Sequence, residues 1–300
     1  MALRICFVNF WDGAFSAAND TGFLPYVFTE AFGGLEITED VAAADVVISS
    51  VFGRTPTPPE KTIQYIGENL RPNLARYRFT LSFDHDTYGG RNFRLPLWWW
   101  RLDWPGYGAR RRQRPAPAGS HPHGYEELIP IDALLRPRPP APLRRPGFCA
   151  LIASNPEPLR CNLFLALQSL GEVTGYGPMF GKPLHRSKFE VLPDFRFCLC
   201  PENGIYPGYH TEKLVDAWYG GCIPLYSGDR LLHHDFNSAA QLNYQDYLET
   251  GRFLAAVKRL ETDPEAFAEV YAQPLLLQRP SLEPLFHFLR QAVGAIVRKG

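Results

Sequence analysis

The chain has 300 residues with 45% hydrophobic and 21% charged residues, proportions that are typical of soluble globular proteins and exclude wholesale disorder. Lysine plus arginine and aspartate plus glutamate each number 31, so no net charge draws the protein to nucleic acid or to an anionic membrane. The 28 prolines and 14% aromatic residues exclude a coiled coil or an all-helical array.

The N-terminal residues predict a strand rather than an export signal. The apolar run Ile5–Val8 is too short for the core of a signal peptide, and Asn9 and Asp12 follow it at once. No later run approaches the roughly 18 apolar residues that a membrane span needs. The six cysteines form no C-x-x-C pair, and we interpret them as buried reduced thiols. These features predict a cytoplasmic protein that is free or at most peripheral to a membrane.

The first third of the chain predicts an α/β domain. Short apolar strands are expected at 3–9, 44–50 and 62–66, and the longer stretches between them favour a parallel sheet. Residues 101–146 then contain ten prolines and nine arginines. We interpret them as a solvated surface excursion that ends in a linker at 136–146, with an anion-binding arginine cluster as the alternative.

The alternation of strands and helices restarts after this linker. Strands are predicted at 148–153, 173–174, 195–200 and 223–226, helices at 159–170 and 212–218, and three more helical segments between 254 and 297. We therefore predict two lobes, residues 1–146 and 147–300, with the last helices in the second lobe. Two such lobes place a ligand cleft between them, at the carboxyl ends of their strands.

The strongest group of polar residues follows the strand predicted at 195–200. Glu202 and Asn203 stand in a turn, and a helix then opens with Thr211 as its cap and Lys213 in its first turn. The positive end of a helix favours a bound phosphate, and a lysine there is unfavourable unless an anion pairs with it. The neighbouring Glu212 is suited to accept hydrogen bonds from two vicinal ribose hydroxyls. An ordinary capped helix with an exposed Glu–Lys pair explains the same residues equally well.

A metal-binding pattern is weak in this sequence. Asp84-His85-Asp86 has the form of the D-x-D motif that many metal-dependent glycosyltransferases use. A turn whose carboxylates are satisfied within the protein is the favoured interpretation, so we predict no metal site.

The segment from Glu202 to Gly228 resembles the donor-binding motif of the α-1,3/4-fucosyltransferases, glycosyltransferase family 10. In that family Glu-Asn is followed by a spacer, by Tyr-x-Thr-Glu-Lys, and by a helix and a strand that ends in Tyr-x-Gly. The matching residues here are Glu202-Asn203, Tyr209-His210-Thr211-Glu212-Lys213 and Tyr226-Ser227-Gly228. Gly204 and Pro201 depart from the family, which usually has Ser and commonly Phe at these positions.

Two further segments carry the resemblance. Ser154 and Asn155, followed by Arg160, resemble the family's Ser-Asn turn and the arginine that contacts the donor diphosphate. Glu68, in Gly-Glu-Asn, resembles the proposed catalytic base of the N-terminal lobe. The resemblance covers about residues 3–100 and 147–245, and the excursion and the last helices match poorly.

The resemblance implies a GT-B type fold, with two Rossmann-like lobes that face each other across a cleft. It implies transfer of L-fucose from GDP-β-L-fucose, with inversion, to a hydroxyl of an oligosaccharide such as N-acetyllactosamine, commonly the 3-hydroxyl of N-acetylglucosamine or glucose. Such a reaction belongs to protein glycosylation or to lipopolysaccharide or oligosaccharide biosynthesis. No cofactor is required, and a divalent metal would at most stimulate it.

The resemblance also assigns roles to particular residues. Glu68 would take the proton of the acceptor hydroxyl, and the positive charges of the donor lobe would stabilise the departing GDP. The implied donor-binding residues are Ser154, Asn155, Arg160, Asn203, Tyr209, Glu212 and Lys213. The Trp98-Trp99-Trp100 run either stacks on sugars or packs internally.

Two other functions remain open on the same fold. One is a transferase that uses a different nucleotide sugar, because the diphosphate-binding residues would serve either donor. The other is a non-catalytic glycan-binding or nucleotide-sugar-binding protein. The base at Glu68 weighs against the second, since a binding module has no use for it.

Overall fold

In the computed structural model the described residues are 3–11, 15–16, 20–113, 127–140 and 145–298. They divide into two compact units. The first unit holds the described residues up to Leu128 and those from Pro280 onward, and the second unit is Ile129–Arg279. Among the described helices, none is long and apolar enough to cross a membrane.

The first unit is built on a six-stranded parallel sheet. Its strands are β1 (Arg4–Val8), β2 (Glu36–Ile37), β3 (Val46–Ser49), β4 (Thr62–Tyr65), β5 (Phe79–Ser82) and β6 (Asn92–Arg94), in the order β2-β1-β3-β4-β5-β6. The unit also holds β7 (Leu102–Asp103) and the helices α1 (Phe23–Phe32), α2 (Tyr107–Gln113) and α9 (Glu283–Val297). Strands β3 and β4 are buried at every position, as expected for parallel strands covered on both faces.

The second unit has a five-stranded parallel sheet. Its strands are β9 (Gly147–Ile152), β10 (Val173–Tyr176), β11 (Phe195–Pro201), β12 (Ile223–Ser227) and β13 (Leu242–Asn243), in the order β10-β9-β11-β12-β13. Outside this sheet lie β8 (Ile129–Pro130), α3 (Ile131–Leu134), α4 (Pro158–Leu167), α5 (Lys188–Val191), α6 (Lys213–Tyr219), α7 (Thr250–Thr262) and α8 (Pro264–Ala272). The strands and helices expected from the sequence are all present, with shifts of a few residues at their ends.

The C-terminal helix differs from the predicted division of the chain. We expected it in the second lobe, 147–300, but α9 packs on α1 in the first unit. Arg290 of α9 donates its Nε–H to the carbonyl of Ala31, at 2.8 Å. The buried residues of α9 include Leu285, Leu289, Ala292 and Ile296, whose spacing forms one apolar stripe along the helix. An apolar stripe in the sequence predicts that the helix packs against the protein, but it does not identify which of the two sheets the helix covers.

The predicted linker also differs, because part of it belongs to the second unit. Arg138 lies inside the segment 136–146, yet its Nη1 donates to the carbonyls of Trp218 and Cys222, both at 2.9 Å. Its Nε donates to the carbonyl of Tyr271 at 2.7 Å. Burial lowers the pKa of this guanidinium to about 10. The second unit therefore begins near residue 129 rather than at 147.

Part of the predicted excursion is packed rather than solvated. Leu102, Trp104 and Tyr107 are at most 3% exposed, and the Tyr107 ring stacks on Tyr26 at 4.8 Å. The apolar residues between the prolines supply this surface, which a count of prolines and arginines overlooks. Residues 114–126, including Arg114 of the arginine cluster, and residues 141–144 of the predicted linker lie outside the described residues.

The tryptophan run lies on a 3-10 helix, Leu97–Arg101. Trp98 is 3% exposed. The Trp100 ring lies 5.5 Å from the ring of Phe23 and 5.6 Å from that of Tyr65. These contacts favour internal packing over a sugar-stacking surface. The six cysteines are free thiols and five are buried, which agrees with their interpretation as reduced core residues.

Candidate active site

Glu202 is the centre of a hydrogen-bonded network at the carboxyl end of β11. Its Oε1 accepts the backbone N–H of Thr211 at 2.8 Å and the hydroxyl of Tyr226 at 2.9 Å. Its Oε2 lies 3.1 Å from Nζ of Lys213 and 2.7 Å from the hydroxyl of Thr211. The carboxylate is buried, so these donors replace the water that an ionised group requires. It thereby connects the ends of β11 and β12 with the start of α6.

Gly228 explains why the segment Tyr226-Ser227-Gly228 ends in glycine. A Cβ at Gly228 would lie only 2.5 Å from the hydroxyl oxygen of Tyr226. Any larger residue would displace that hydroxyl from Glu202. Burial, reinforced by the Glu202 carboxylate, raises the pKa of Tyr226 well above its ordinary value, so the phenol keeps its proton and remains a donor.

Thr211 does not cap α6 as the sequence predicted. The cap position is Glu212, which makes no capping bond through its side chain. The reason is that Glu202 takes both the backbone N–H and the hydroxyl of Thr211. Thr211 thus belongs to the carboxylate network, and its hydroxyl oxygen also accepts a hydrogen bond from Nζ of Lys213 at 2.9 Å.

Lys213 carries a stable positive charge in a partly exposed position. Its Nζ donates to Glu202 and to Thr211, and it lies 3.8 Å from Oε1 of Glu212. Burial alone would lower the pKa of this ammonium. The Glu202 and Glu212 carboxylates outweigh burial, and the pKa lies above its ordinary value. The lysine side chain is still 23% exposed. The predicted Glu–Lys pair is therefore a charged site and not an ordinary exposed surface pair.

Arg160 lies beneath the turn that follows β9 and is 3% exposed. Its Nη1 donates to the carbonyl of Asn155. Its Nη2 donates to Oδ1 of Asn203 at 2.8 Å and to the carbonyl of Pro201 at 3.2 Å. Burial lowers the pKa of the guanidinium, but an arginine keeps its charge in proteins. Arg160 is therefore not an ordinary surface arginine of α4.

The other predicted donor residues border the same network. Ser154 and Asn155 are exposed in the turn after β9, and Glu212 lies at the start of α6. Tyr209 is 2% exposed, a position that favours support of the loop over a broad contact with a ligand. Since Asn203 follows Glu202 directly, the contacts of Arg160 and of Lys213 meet at adjacent residues. All seven predicted donor residues lie in the second unit, and direct contacts join Asn155, Arg160 and Asn203 in one group and Glu212 and Lys213 in another.

Glu68 lies in the first unit, three residues beyond the end of β4, which is one of the two central strands of the sheet. It is partly exposed, and its carbonyl accepts the N–H of Leu70 at 2.6 Å. Arg71 steadies this segment, because its guanidinium donates to Asn69 at 2.7 Å and to Asp84, after β5, at 2.6 Å. A carboxylate at the carboxyl edge of a parallel sheet stands where ligands of such sheets bind.

Asp84-His85-Asp86 forms a turn with satisfied carboxylates. Asp84 is 4% exposed and accepts from Arg71 and from the hydroxyl of Tyr88, both at 2.6 Å. Asp86 accepts the backbone N–H of Tyr88 at 2.7 Å. Across the described ranges, no group of three or more His, Cys, Asp or Glu side chains is arranged to hold a metal ion.

Sequence reasoning placed Glu202 in the motif but gave it no role. The signal that could have assigned a role was a carboxylate directly after a buried strand, followed nine residues later by the backbone N–H and hydroxyl donors of Thr211. His210 contacts the carboxylates of Asp229 and Asp235 through its two ring nitrogens. Nothing in the sequence signalled these contacts, because the two aspartates lie 19 and 25 residues from His210 along the chain.

Two models of known protein families match this chain, one in each half. A model described as "Alpha-(1,3)-fucosyltransferase FucT N-terminal domain" matches residues 5–100. A model described as "Glycosyltransferase family 10 (fucosyltransferase) C-term" matches residues 144–273.

Among curated proteins, the Alpha-(1,3)-fucosyltransferase FucT of Helicobacter pylori is 30% identical over 227 residues, which is 72% of this chain and 47% of that protein. The Putative fucosyltransferase R654 of Acanthamoeba polyphaga mimivirus is 27% identical over 108 residues, 36% of this chain and 18% of that protein. The chain thus spans less than half of the length of either relative.

Solved structures share the fold over nearly the whole chain. A crystal structure of an α1,3-fucosyltransferase superposes with a TM-score of 0.75 at 22% identity, covering 98% of this chain and 90% of that one. A crystal structure of an α1,3-fucosyltransferase with GDP-fucose gives 0.71 at 21% identity, covering 97% and 90%. These matches confirm the predicted α/β fold of the GT-B type. The two family matches and the Helicobacter pylori relative confirm the resemblance, and the chain belongs to glycosyltransferase family 10, the fucosyltransferases.

Proposed function

We propose that this protein is an inverting α-1,3-fucosyltransferase. It would transfer L-fucose from GDP-β-L-fucose to the 3-hydroxyl of N-acetylglucosamine or glucose in an oligosaccharide. The observation that carries the proposal is a pair of contacts at the carboxyl edge of the second sheet: Arg160 bonds Asn203, and Lys213 bonds the adjacent residue Glu202. The activity named for the Helicobacter pylori relative, and the GDP-fucose held by a structure of the same fold, support the choice of donor and reaction.

Lys213 is the residue best placed to stabilise the departing GDP. An ammonium carries three N–H bonds, and Glu202 and Thr211 accept two of them. Glu212 lies 3.8 Å from Nζ, beyond hydrogen-bond distance, so among the contacts with the described residues one N–H remains for a phosphate oxygen. The two accepting residues fix the direction of this N–H before the donor binds, which lowers the reorganisation needed in the transition state.

Arg160 would act from behind the turn. Its hydrogen bonds to the Asn155 carbonyl and the Asn203 side chain hold the two turns that border the site. Its charge lies in a poorly solvated position, where it is weakly screened and favours the doubly charged diphosphate. We therefore propose that Arg160 attracts the diphosphate by its charge and holds the two turns in place by its hydrogen bonds. Ser154 and Asn155 would then face the ligand.

Glu68 would be the general base. Inversion by a single displacement requires that the acceptor hydroxyl lose its proton as it attacks the anomeric carbon. The carboxylate of Glu68 takes this proton, the bond from the anomeric carbon to the GDP oxygen breaks, and GDP leaves as the anion. Because fixed protein cations neutralise the diphosphate, the reaction proceeds without an obligatory divalent metal. The free cysteines support a reducing compartment, and we assign the reaction to the cytoplasm.

Turnover of the purified chain tests the proposal. GDP release and fucosylated product are measured with GDP-fucose and N-acetyllactosamine, and then with GDP-mannose, UDP-galactose and UDP-glucose in place of the donor. Product with GDP-fucose alone supports the proposal. Product with another donor would instead identify a transferase for a different sugar. Tight GDP-fucose binding without product, across a broad panel of acceptors, would favour a non-catalytic binding protein.

A further inference from the structure

His210 is a completely buried histidine held between two carboxylates. Its Nδ1 lies 2.6 Å from Oδ2 of Asp235, and its Nε2 lies 2.9 Å from Oδ1 of Asp229. The side chains of Asp229 and Asp235 are only 5% and 8% exposed. An ionised carboxylate can only accept hydrogen bonds, so between two ionised aspartates both ring nitrogens donate. The arrangement therefore favours an imidazolium ring between the two aspartates.

The state of Asp229 agrees with a charged ring. Burial would raise the pKa of Asp229, but the hydrogen bond and charge of His210, with the backbone N–H groups of Gly208 and Leu231, more than offset burial. The pKa of Asp229 is lower than its ordinary value. The aspartate is thus ionised, and it needs a proton donor on the facing ring nitrogen.

The contact fixes the loop that carries the donor motif. Asp229 also accepts the backbone N–H of Gly208, which has a φ of 85°, a conformation that other residues rarely adopt. The segment from Gly208 to Thr211 is therefore held on one side by Asp229 and on the other by Glu202, through the N–H of Thr211. His210 stands between Tyr209 and Thr211, at the position that the family motif leaves open.

We propose that His210 is a positioning residue for donor binding, whose charged ring sets the loop that presents Thr211 and, through it, Lys213. The inference rests on the proposed function, since it concerns the same donor site. His210 itself touches no reacting atom. Its loss removes the charged ring that bridges the two buried carboxylates, and their repulsion shifts the loop and weakens the binding of the nucleotide.

The test uses the full chain and two readouts. GDP affinity is measured by calorimetry, and the KM for GDP-fucose and kcat are measured separately. In His210→Gln we expect the Kd for GDP and the KM to rise about tenfold or more, while kcat falls less than about threefold, because the loop is displaced but the reacting groups remain. The control His233→Gln, which changes an exposed histidine of the same unit, should match the wild type.

Rescue separates positioning from mere packing. In His210→Gln/Asp235→Asn one carboxylate is gone, so the charge that favoured the imidazolium is reduced, and we expect most of the lost GDP affinity to return. An unchanged GDP affinity in folded His210→Gln would overturn the proposal. If that variant does not fold, Asp235→Asn decides. It removes the carboxylate that contacts Nδ1 of His210, so the ring loses one of the two contacts that fix it, and GDP binding should weaken in a folded chain. Wild-type GDP affinity in Asp235→Asn would overturn the proposal as well.

The outcomes also distinguish this inference from the proposed function. If GDP binding depends on His210 but no donor is turned over, the positioning role holds and fucosyl transfer fails. If the wild type turns over GDP-fucose and His210→Gln matches it in KM and kcat, the function holds and the positioning role fails. If the wild type binds no GDP, both fail.

Discussion

The Nζ of Lys213 lies 3.1 Å from Oε2 of Glu202, in an ion pair whose acidic side chain is fully buried and whose basic side chain is 23% exposed. The burial of Glu202 makes the pair costly to break, because a carboxylate without partners in the interior has lost its water. The exposure of Lys213 leaves its charge accessible to a ligand. The same pair can therefore stabilise the fold and hold a cation ready for an anionic donor.

Replacement of Glu202 tests the structural half of this relationship. In Glu202→Ala the donors of Thr211, Tyr226 and Lys213 all lose their acceptor, so we expect the free energy of unfolding to fall by about 3–5 kcal/mol. Urea-induced unfolding followed by circular dichroism measures the loss. The matched control is Glu249→Ala, which removes an exposed ion pair with Arg252 and should cost at most about 1 kcal/mol. Equal losses in the two variants would contradict a central role for Glu202.

Replacement of Lys213 tests the functional half. In Lys213→Ala we expect kcat/KM for GDP-fucose to fall about 30- to 150-fold, which corresponds to about 2–3 kcal/mol of transition-state stabilisation. The control Lys258→Ala removes an exposed lysine from α7 and should leave the kinetics unchanged. Wild-type kinetics in Lys213→Ala would remove this residue from the mechanism.

Much of the fold could be predicted because short apolar runs, such as the one at 148–153, identify buried strands without reference to other segments. The donor motif was also readable, since Glu202, Thr211 and Lys213 lie within twelve residues of sequence. The position of α9 was not readable, because its apolar stripe fits either sheet. The partners of His210 were hidden for a similar reason: Asp229 and Asp235 come from the segment after β12, and only the folded chain brings them to the ring.

Replacement of Glu68 tests the base. In Glu68→Gln the side chain keeps its shape but cannot accept the acceptor proton, so we expect kcat to fall by about 10²- to 10⁴-fold. The Kd for GDP, measured by calorimetry, should remain unchanged, because the proposed donor residues lie in the other unit. The control Glu60→Gln changes an exposed glutamate of the first unit and should behave as the wild type. A Glu68→Gln variant with full turnover would show that another group accepts the proton.

Removal of divalent metal tests whether protein cations suffice for the leaving group. We expect activity in excess EDTA to remain within about threefold of the untreated enzyme, because Lys213 and Arg160 supply the charge that a metal would otherwise provide. Initial rates are compared before chelation, after it, and after Mg²⁺ or Mn²⁺ is restored. A complete loss of activity that either metal reverses would contradict this prediction and would favour a metal site at Asp84 and Asp86. The variant Asp84→Asn would then test that site directly.

The pH dependence of stability tests the lowered pKa of Asp229. Since this pKa lies below the ordinary value of 3.8, the unfolded chain binds the proton more readily, and stability rises with pH through this window. The contribution of Asp229 is complete above the unfolded value and is lost as pH falls through the folded value. We therefore expect the free energy of unfolding to fall less between about pH 5 and about pH 3 in Asp229→Asn than in the wild type, because this range spans the ordinary carboxyl pKa.

Two features of this window keep the result interpretable. Unfolded histidine is already largely protonated below about pH 5.5, so the ring of His210 adds little to the slope. The control Asp132→Asn removes an exposed carboxylate of α3 and should leave the acid slope of the wild type intact. If Asp229→Asn shows the same slope as the wild type, His210 does not hold Asp229 in its ionised form. The ring between the two aspartates would then be a neutral imidazole, and one of the two carboxyl groups would carry a proton and donate it to the ring.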